Sequence, residues 1–244
     1  MNKDKELYFV AGLPRSGSTL LMNVLGQNPK CHVTPTNGLI ELFCNLHNNW
    51  HKSVEFRSQG LKSVQEKVRT AGEGLLHGFY KEEFEEGKVV FDKNRGWLQY
   101  IEELEYVLDK KIKVIACVRD PREIAGSLER VYRERKNDYR HASESESDEV
   151  YVKGVTIEGR CQQWFADGGL VGIACNRLRD ALKRVPESVI LLPYNNLVDN
   201  SEDTMDALMD ALELDRFKYD FEDIQQLTHE DDCWHGMDLH IVGN

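Results

Sequence analysis

The segment Val10–Leu21 (VAGLPRSGSTLL) carries the groups needed to hold a phosphate. Gly12 and Gly17 stand in the spacing Gly-x4-Gly-x-Ser/Thr of a nucleotide phosphate loop. Glycines at those points let the backbone turn so that its N–H groups converge on an anion. A helix starting near Gly17 adds its positive end. Pro14 leads into Arg15, whose planar cation suits phosphate or sulfate oxygens, and Ser16, Ser18 and Thr19 add hydroxyl donors. A plain strand–turn–helix with a serine cap would share the glycines. The ordered set of apolar strand, arginine, hydroxyls and helix favours phosphate binding. Ser18 fills the position that a nucleoside triphosphatase gives to lysine, which disfavours chemistry needing a cation on the β- and γ-phosphates.

A second segment, Val118–Ser127 (VRDPREIAGS), also leaves an apolar run and enters a helix, with Pro121 at the favoured first position. Arg119 ends the run and Ser127 lies about two helical turns on, so the two can face one ligand. An Asp–Arg surface pair and an N-terminal proline would be the ordinary alternative. Val89–Arg95 (VVFDKNR) closes another β-rich run with Lys93. That lysine is a candidate second cation, or else a solvated lysine in a turn.

These segments need a scaffold that brings them together. Glu6–Gly12, Lys88–Phe91, Ile112–Val118 and Ser188–Pro193 read as short buried strands. Between them the pattern predicts helices over Gly17–Gly26, most of 39–85, Trp97–Leu108, Pro121–Arg135, Thr156–Arg184 and Ser201–Leu212, the last with Ser201 as N-cap. Alternating strands and helices predict an α/β three-layer sandwich with a central, mostly parallel sheet. In such sheets ligands sit at the carboxyl ends of the strands, where each segment above falls. Asn137–Glu149 is polar and low in complexity and reads as a surface loop.

The 244 residues are 41% hydrophobic and 30% charged, the balance of a soluble globular protein. No run approaches the roughly 18 apolar residues of a membrane span, and no cleaved signal is expected. Six cysteines are scattered without a CxxC pair, which predicts reduced thiols, a cytoplasmic location and no metal site. Residues 1–135 hold 21 basic and 19 acidic side chains, whereas residues 136–244 hold 10 and 23. The acidic second half argues against broad nucleic-acid binding. No heptad pattern speaks to oligomeric state.

PRSGSTLL and RDPREIAGS together resemble the two nucleotide signatures of the PAPS-dependent sulfotransferases. The resemblance implies a P-loop NTPase-like fold in one domain over 1–244, with 39–85 and 137–185 as acceptor-side insertions. It implies that Pro14, Arg15, Ser16, Gly17, Ser18 and Thr19 hold the 5′ end of the donor and that Arg119 and Ser127 hold its 3′-phosphate. Leu192–Val198 (LPYNNLV) looks like the family's Tyr-Glu-Asp-Leu element, with Asn195 and Asn196 replacing the acidic pair, so Tyr194 becomes an adenine neighbour. The Lys93 segment is similar to the Asn-Lys-Asp element of tyrosylprotein sulfotransferases, whose lysine contacts the donor. The implied reaction moves a sulfuryl group from PAPS to a hydroxyl or amine, releases adenosine 3′,5′-bisphosphate and needs no metal.

Arg15 and Lys93 would then be the catalytic cations, and a base must take the acceptor's proton. Cys31–Gly38, which follows the loop where tyrosylprotein sulfotransferases carry a glutamate, has no acid. His32 is the candidate, with Glu41, His47, His51, His229 and His235 as alternatives. Two other readings stay open. One is a kinase or NTPase with an altered loop, for which Asp92 would hold the metal. The other is a non-catalytic nucleotide-binding protein on the same fold.

Overall fold

The structure is a computed structural model that describes residues 6–134, 154 and 156–230. Its centre is a five-stranded, all-parallel sheet in the order β2-β3-β1-β4-β5. The strands are β1 (Leu7–Gly12), β2 (Cys31–Thr36), β3 (Val89–Lys93), β4 (Val114–Val118) and β5 (Val189–Pro193). Four match the predicted strands. The fifth, β2 (CHVTPT), was missed because its alternating polar residues and Pro35 hide it. Its edge position tolerates both.

Along β1, Leu7, Phe9 and Ala11 face one layer while Val10 faces the other. Both faces are covered, so the strand reads as a continuous apolar run. The first layer contains α2 (Leu39–Asn49), α3 (Val54–Gln59), α4 (Leu61–Phe79), α5 (Lys81–Glu85) and α6 (Ile101–Leu108). Leu39, Phe43, Leu76, Trp97 and Leu104 form its core. α1 (Ser18–Leu25) packs on the opposite face with Met205, Leu208 and Met209 from the helix Ser201–Ala211. α7 (Pro121–Glu134) meets the pair α8 (Ile157–Phe165) and α9 (Leu170–Arg184) through Ile124, Leu128 and Val171. Among the described residues no helix is long and apolar enough to cross a membrane.

Two local readings are corrected. Trp97–Leu108 is not one helix: a 3-10 turn over Arg95–Gln99 precedes α6. Asn94 causes the break, since its side chain accepts from Gly96 N–H at 2.9 Å and caps the turn. Ser201 is not the cap of its helix. Asn200 holds that position, and Ser201 Oγ donates to Leu197 O at 2.8 Å. The predicted loop 137–149 lies outside the described residues.

Asp92 is completely buried in β3. It accepts from Tyr80 Oη, from Asn37 Nδ2 at 2.7 Å and from Trp97 Nε1 at 2.6 Å. Burial pushes its pKa up, and the three donors pull it back. Asn37 in turn donates its N–H to Lys93 O at 2.9 Å and accepts from Leu39 N–H at 3.1 Å, so it starts α2. An Asp92→Ala variant strands these donors. It is expected to lose about 3 kcal/mol in urea denaturation, with Asp92→Asn losing less.

Candidate functional site

The parallel registers align Thr36, Lys93, Gly12, Val118 and Pro193 at one end of the sheet. Each segment singled out from the sequence follows one of these strand ends. Gly12 (φ 129°) sits so close to β4 that a Cβ would lie 2.1 Å from Cys117 O. No other residue fits there. Leu13 N–H donates to that same Cys117 O at 2.9 Å, which fixes where the loop leaves the sheet.

Inside the loop the roles divide. Pro14 is buried, and the Ser16 hydroxyl turns inward to Leu13 O (2.6 Å) and Cys117 O (2.9 Å). Ser16 therefore braces the loop with its side chain and has only its N–H to offer a ligand. Ser18 begins α1, and Ser18 and Thr19 are half-buried. Arg15 adopts a left-handed backbone (φ 58°), which costs an ordinary residue of order 1 kcal/mol and marks a constrained position.

The first and second segments meet directly. Arg15 Nε donates to Ser127 Oγ at 3.0 Å. Arg119 Nη1 donates to Arg15 O at 3.1 Å, and its Nε donates to Glu123 Oε2 at 2.9 Å. The Arg119 guanidinium lies 3.9 Å from the centroid of the Tyr194 ring, in cation–π contact. That ring covers Gly17 (φ 85°), where a Cβ would stand 2.7 Å from Tyr194 Cδ2. Arg15, Gly17, Arg119, Ser127 and Tyr194 thus form one contiguous group. They come from three strand–helix junctions.

Lys93 closes the other side. Its side chain is 5% exposed, and Nζ reaches Thr19 Oγ1 at 3.3 Å and Glu230 Oε1 at 2.9 Å. Burial pushes its pKa down while Glu230 pushes it back up. Lys93 is therefore not the solvated turn residue that the sequence left open. The same Glu230 oxygen accepts from Thr36 N–H (2.6 Å) and Thr36 Oγ1 (2.9 Å). A cation, a backbone N–H and a hydroxyl converge on one oxyanion. Glu230 is held there by Asn23 of α1. Its Nδ2 donates to Thr19 O (2.8 Å) and Thr228 Oγ1 (3.3 Å), and its Oδ1 accepts from the N–H groups of Leu227 and Thr228.

His32 is not brought to this group. It pairs with Val90, four residues before the end of β2, or about 13 Å short of the edge. Its ring packs against Tyr80, and Nε2 lies 3.7 Å from Glu83. His47 lies 3.7 Å from Glu103, and His51 and His229 are exposed. His235 lies outside the described residues. Glu230, Thr36 and Asn23 follow no motif, so nothing in the sequence singles them out.

A five-stranded all-parallel sheet flanked by helices, with a strand–loop–helix at its carboxyl end, defines an α/β protein of the P-loop-like class. Residues 8–218 match the model of the Sulfotransferase family, and the chain belongs to that family. Sulfotransferase STF9 from Mycobacterium avium has a similar fold, with TM-score 0.50 at 14% identity, over 86% of this chain and 64% of that one. The sulfotransferase domain of the olefin synthase from Synechococcus PCC 7002 gives 0.48 at 17% identity, over 89% and 78%. A comparison with curated proteins finds no match.

The Lys93–Glu230 contact makes a direct prediction. Glu230→Gln leaves a buried ammonium without its carboxylate and is expected to cost about 3 kcal/mol in chemical denaturation. The double variant Lys93→Met/Glu230→Gln should recover much of that loss, because it removes the orphaned charge as well.

Proposed function

We propose that this chain transfers a sulfuryl group from PAPS to a hydroxyl or amine acceptor and releases adenosine 3′,5′-bisphosphate. The observation that carries this reading is the Arg15–Ser127 hydrogen bond together with the Arg119–Tyr194 stack. Through them the two segments with phosphate chemistry form one surface, as a nucleotide with phosphates at both ends requires. Membership of the sulfotransferase family supports the reaction class.

In this reading the N–H groups of the loop and Thr19 hold the 5′ end, and Arg119 and Ser127 hold the 3′-phosphate. Tyr194 flanks the adenine. The acceptor's oxygen or nitrogen attacks sulfur in line as the sulfur–oxygen bond to the 5′-phosphate breaks. Arg15 neutralises the charge that grows on the departing phosphate, and Lys93 steadies the sulfuryl oxygens. The acceptor's proton needs a base at this end of the sheet. Glu41, exposed in the first turn of α2, stands at that end, whereas His32 does not.

The kinase alternative loses support at Asp92. That side chain is fully buried, and both its oxygens accept hydrogen bonds from Tyr80, Asn37 and Trp97, so a metal would have to displace them. A non-catalytic nucleotide binder differs from the proposal only in turnover.

Adenosine 3′,5′-bisphosphate is expected to raise the melting temperature equally with and without EDTA. Arg119→Ala should weaken its binding by about tenfold or more, the value of a lost charge-assisted hydrogen bond. No thermal shift at millimolar nucleotide would refute the donor assignment. With labelled PAPS and a panel of carbohydrates, phenols and peptides, Arg15→Ala and Lys93→Ala should lower kcat by about a hundredfold. Glu41→Gln should lower kcat with little change in KM.

A further inference from the structure

Lys93 is followed, beyond Asn94, by another cation. Arg95 opens the 3-10 turn and is half-buried. A second arginine comes from α9. Ala174, Arg177, Leu178 and Ala181 have the i, i+3, i+4, i+7 spacing of one helix face, and Ala174 and Ala181 are buried. α9 packs closely on the turn that carries Arg95. Arg177 is half-buried as well, and its charge is felt both at Arg95 and at Cys44 of α2. The helix that bears Arg177 and the turn that bears Arg95 thus lie side by side, with both arginines half-buried.

Several other arginines among the described residues are engaged. Arg15, Arg69, Arg119, Arg160, Arg184 and Arg216 each donate to a carboxylate, hydroxyl or carbonyl. Among the described residues, neither Arg95 nor Arg177 makes a hydrogen bond or ion pair. Burial, and then the charge of Arg177, hold the pKa of Arg95 below the usual arginine value, while Glu230 pulls it back. Two like charges drawn partly out of water destabilise a fold unless an anion joins them.

Position separates Arg95 from the donor anchors. Arg15, Arg119 and Tyr194 follow β1, β4 and β5, on one side of the sheet order. Arg95 follows β3 on the other side, past Lys93. α9 bridges the two sides, since Val171 and Ala174 pack with Leu13 and α7 while Ala181 joins the layer of the turn, so an anion held by Arg95 and Arg177 would reach Lys93 from the Arg95 end.

We propose that Arg95 and Arg177 form an anion subsite for the acceptor, so that the enzyme sulfates molecules that already bear an oxyanion such as a carboxylate, sulfate or phosphate. This rests on the transfer reading above. The oxyanion sits across the two guanidinium groups, and the acceptor's nucleophilic oxygen or nitrogen lies toward Lys93. Sulfation would then add negative charge to a molecule already negative.

Binding tests the subsite without turnover. Titration calorimetry on the full chain, with and without adenosine 3′,5′-bisphosphate, compares 4-hydroxyphenylacetate and glucuronate, each against its own methyl ester. The acids should bind about tenfold more tightly than the esters. Arg95→Gln and Arg177→Gln should each shrink that preference to about twofold or less and leave nucleotide affinity unchanged. Ligand-free Arg177→Gln should melt no lower than the parent, since it relieves repulsion, which a purely structural arginine would not allow. Equal affinity for acid and ester, a preference surviving both variants, or no acid binding at millimolar concentration overturns the subsite. An acid preference lost in both variants, without sulfate transfer to any acceptor, sustains the subsite and refutes the transfer reading instead.

Discussion

Removing the Asp92 carboxylate from water costs several kcal/mol unless donors replace the lost hydration. Here Tyr80, Asn37 and Trp97 replace it, and each comes from a different part of the chain. Tyr80 ends α4, Asn37 begins the path into α2, and Trp97 lies in the turn after β3. One carboxylate therefore ties the helices over one face to the end of the strand that bears Lys93. Because its oxygens are saturated, Asp92 acts by placement rather than by chemistry. Lys93 and Arg95, on either side of Asn94, take their directions from that anchor.

The loop after β1 rests on a different constraint, the absence of side chains. Gly12 lets β1 approach Cys117, and Gly17 lets the Tyr194 ring lie on the loop. A Cβ at Gly12 would collide with the Cys117 backbone, and one at Gly17 would push the ring away. Ser16 then bonds to both Leu13 O and Cys117 O, so the loop is braced from beneath. The result is a preorganised surface in which Arg15, Arg119 and Ser127 already touch. Little ordering is left for a ligand to impose, which favours tight binding.

Much of this was legible in the sequence because the relevant signals are local. The loop, the Arg119–Ser127 spacing and the Tyr194 segment are each short runs, and the strand–helix alternation predicted where their ends would gather. What was hidden depends on distant partners. β2 is polar and carries Pro35, so hydrophobic periodicity could not find it. His32 looked well placed by its distance along the chain from the loop, but the strand register sets it about 13 Å from the edge. Glu230 sits in a polar stretch without periodicity. Asn23 and Thr36, some two hundred residues away, hold it beside Lys93. Arg95 and Arg177 carry no motif, and only the packing of α9 on the turn brings their elements together.

The oxyanion on Lys93 bears on discrimination among anions. Three donors already satisfied by Glu230 present a threshold to anything that would replace it. Chloride, acetate or a free amino acid offers a single weak charge and would gain little by the exchange. A ligand anchored at two other points can contest that oxygen at high local concentration, because its first contacts have already confined it. On the proposed function, the carboxylate would work as a filter. It would make the lysine available to multiply anchored polyanions and keep it closed to small singly charged ones.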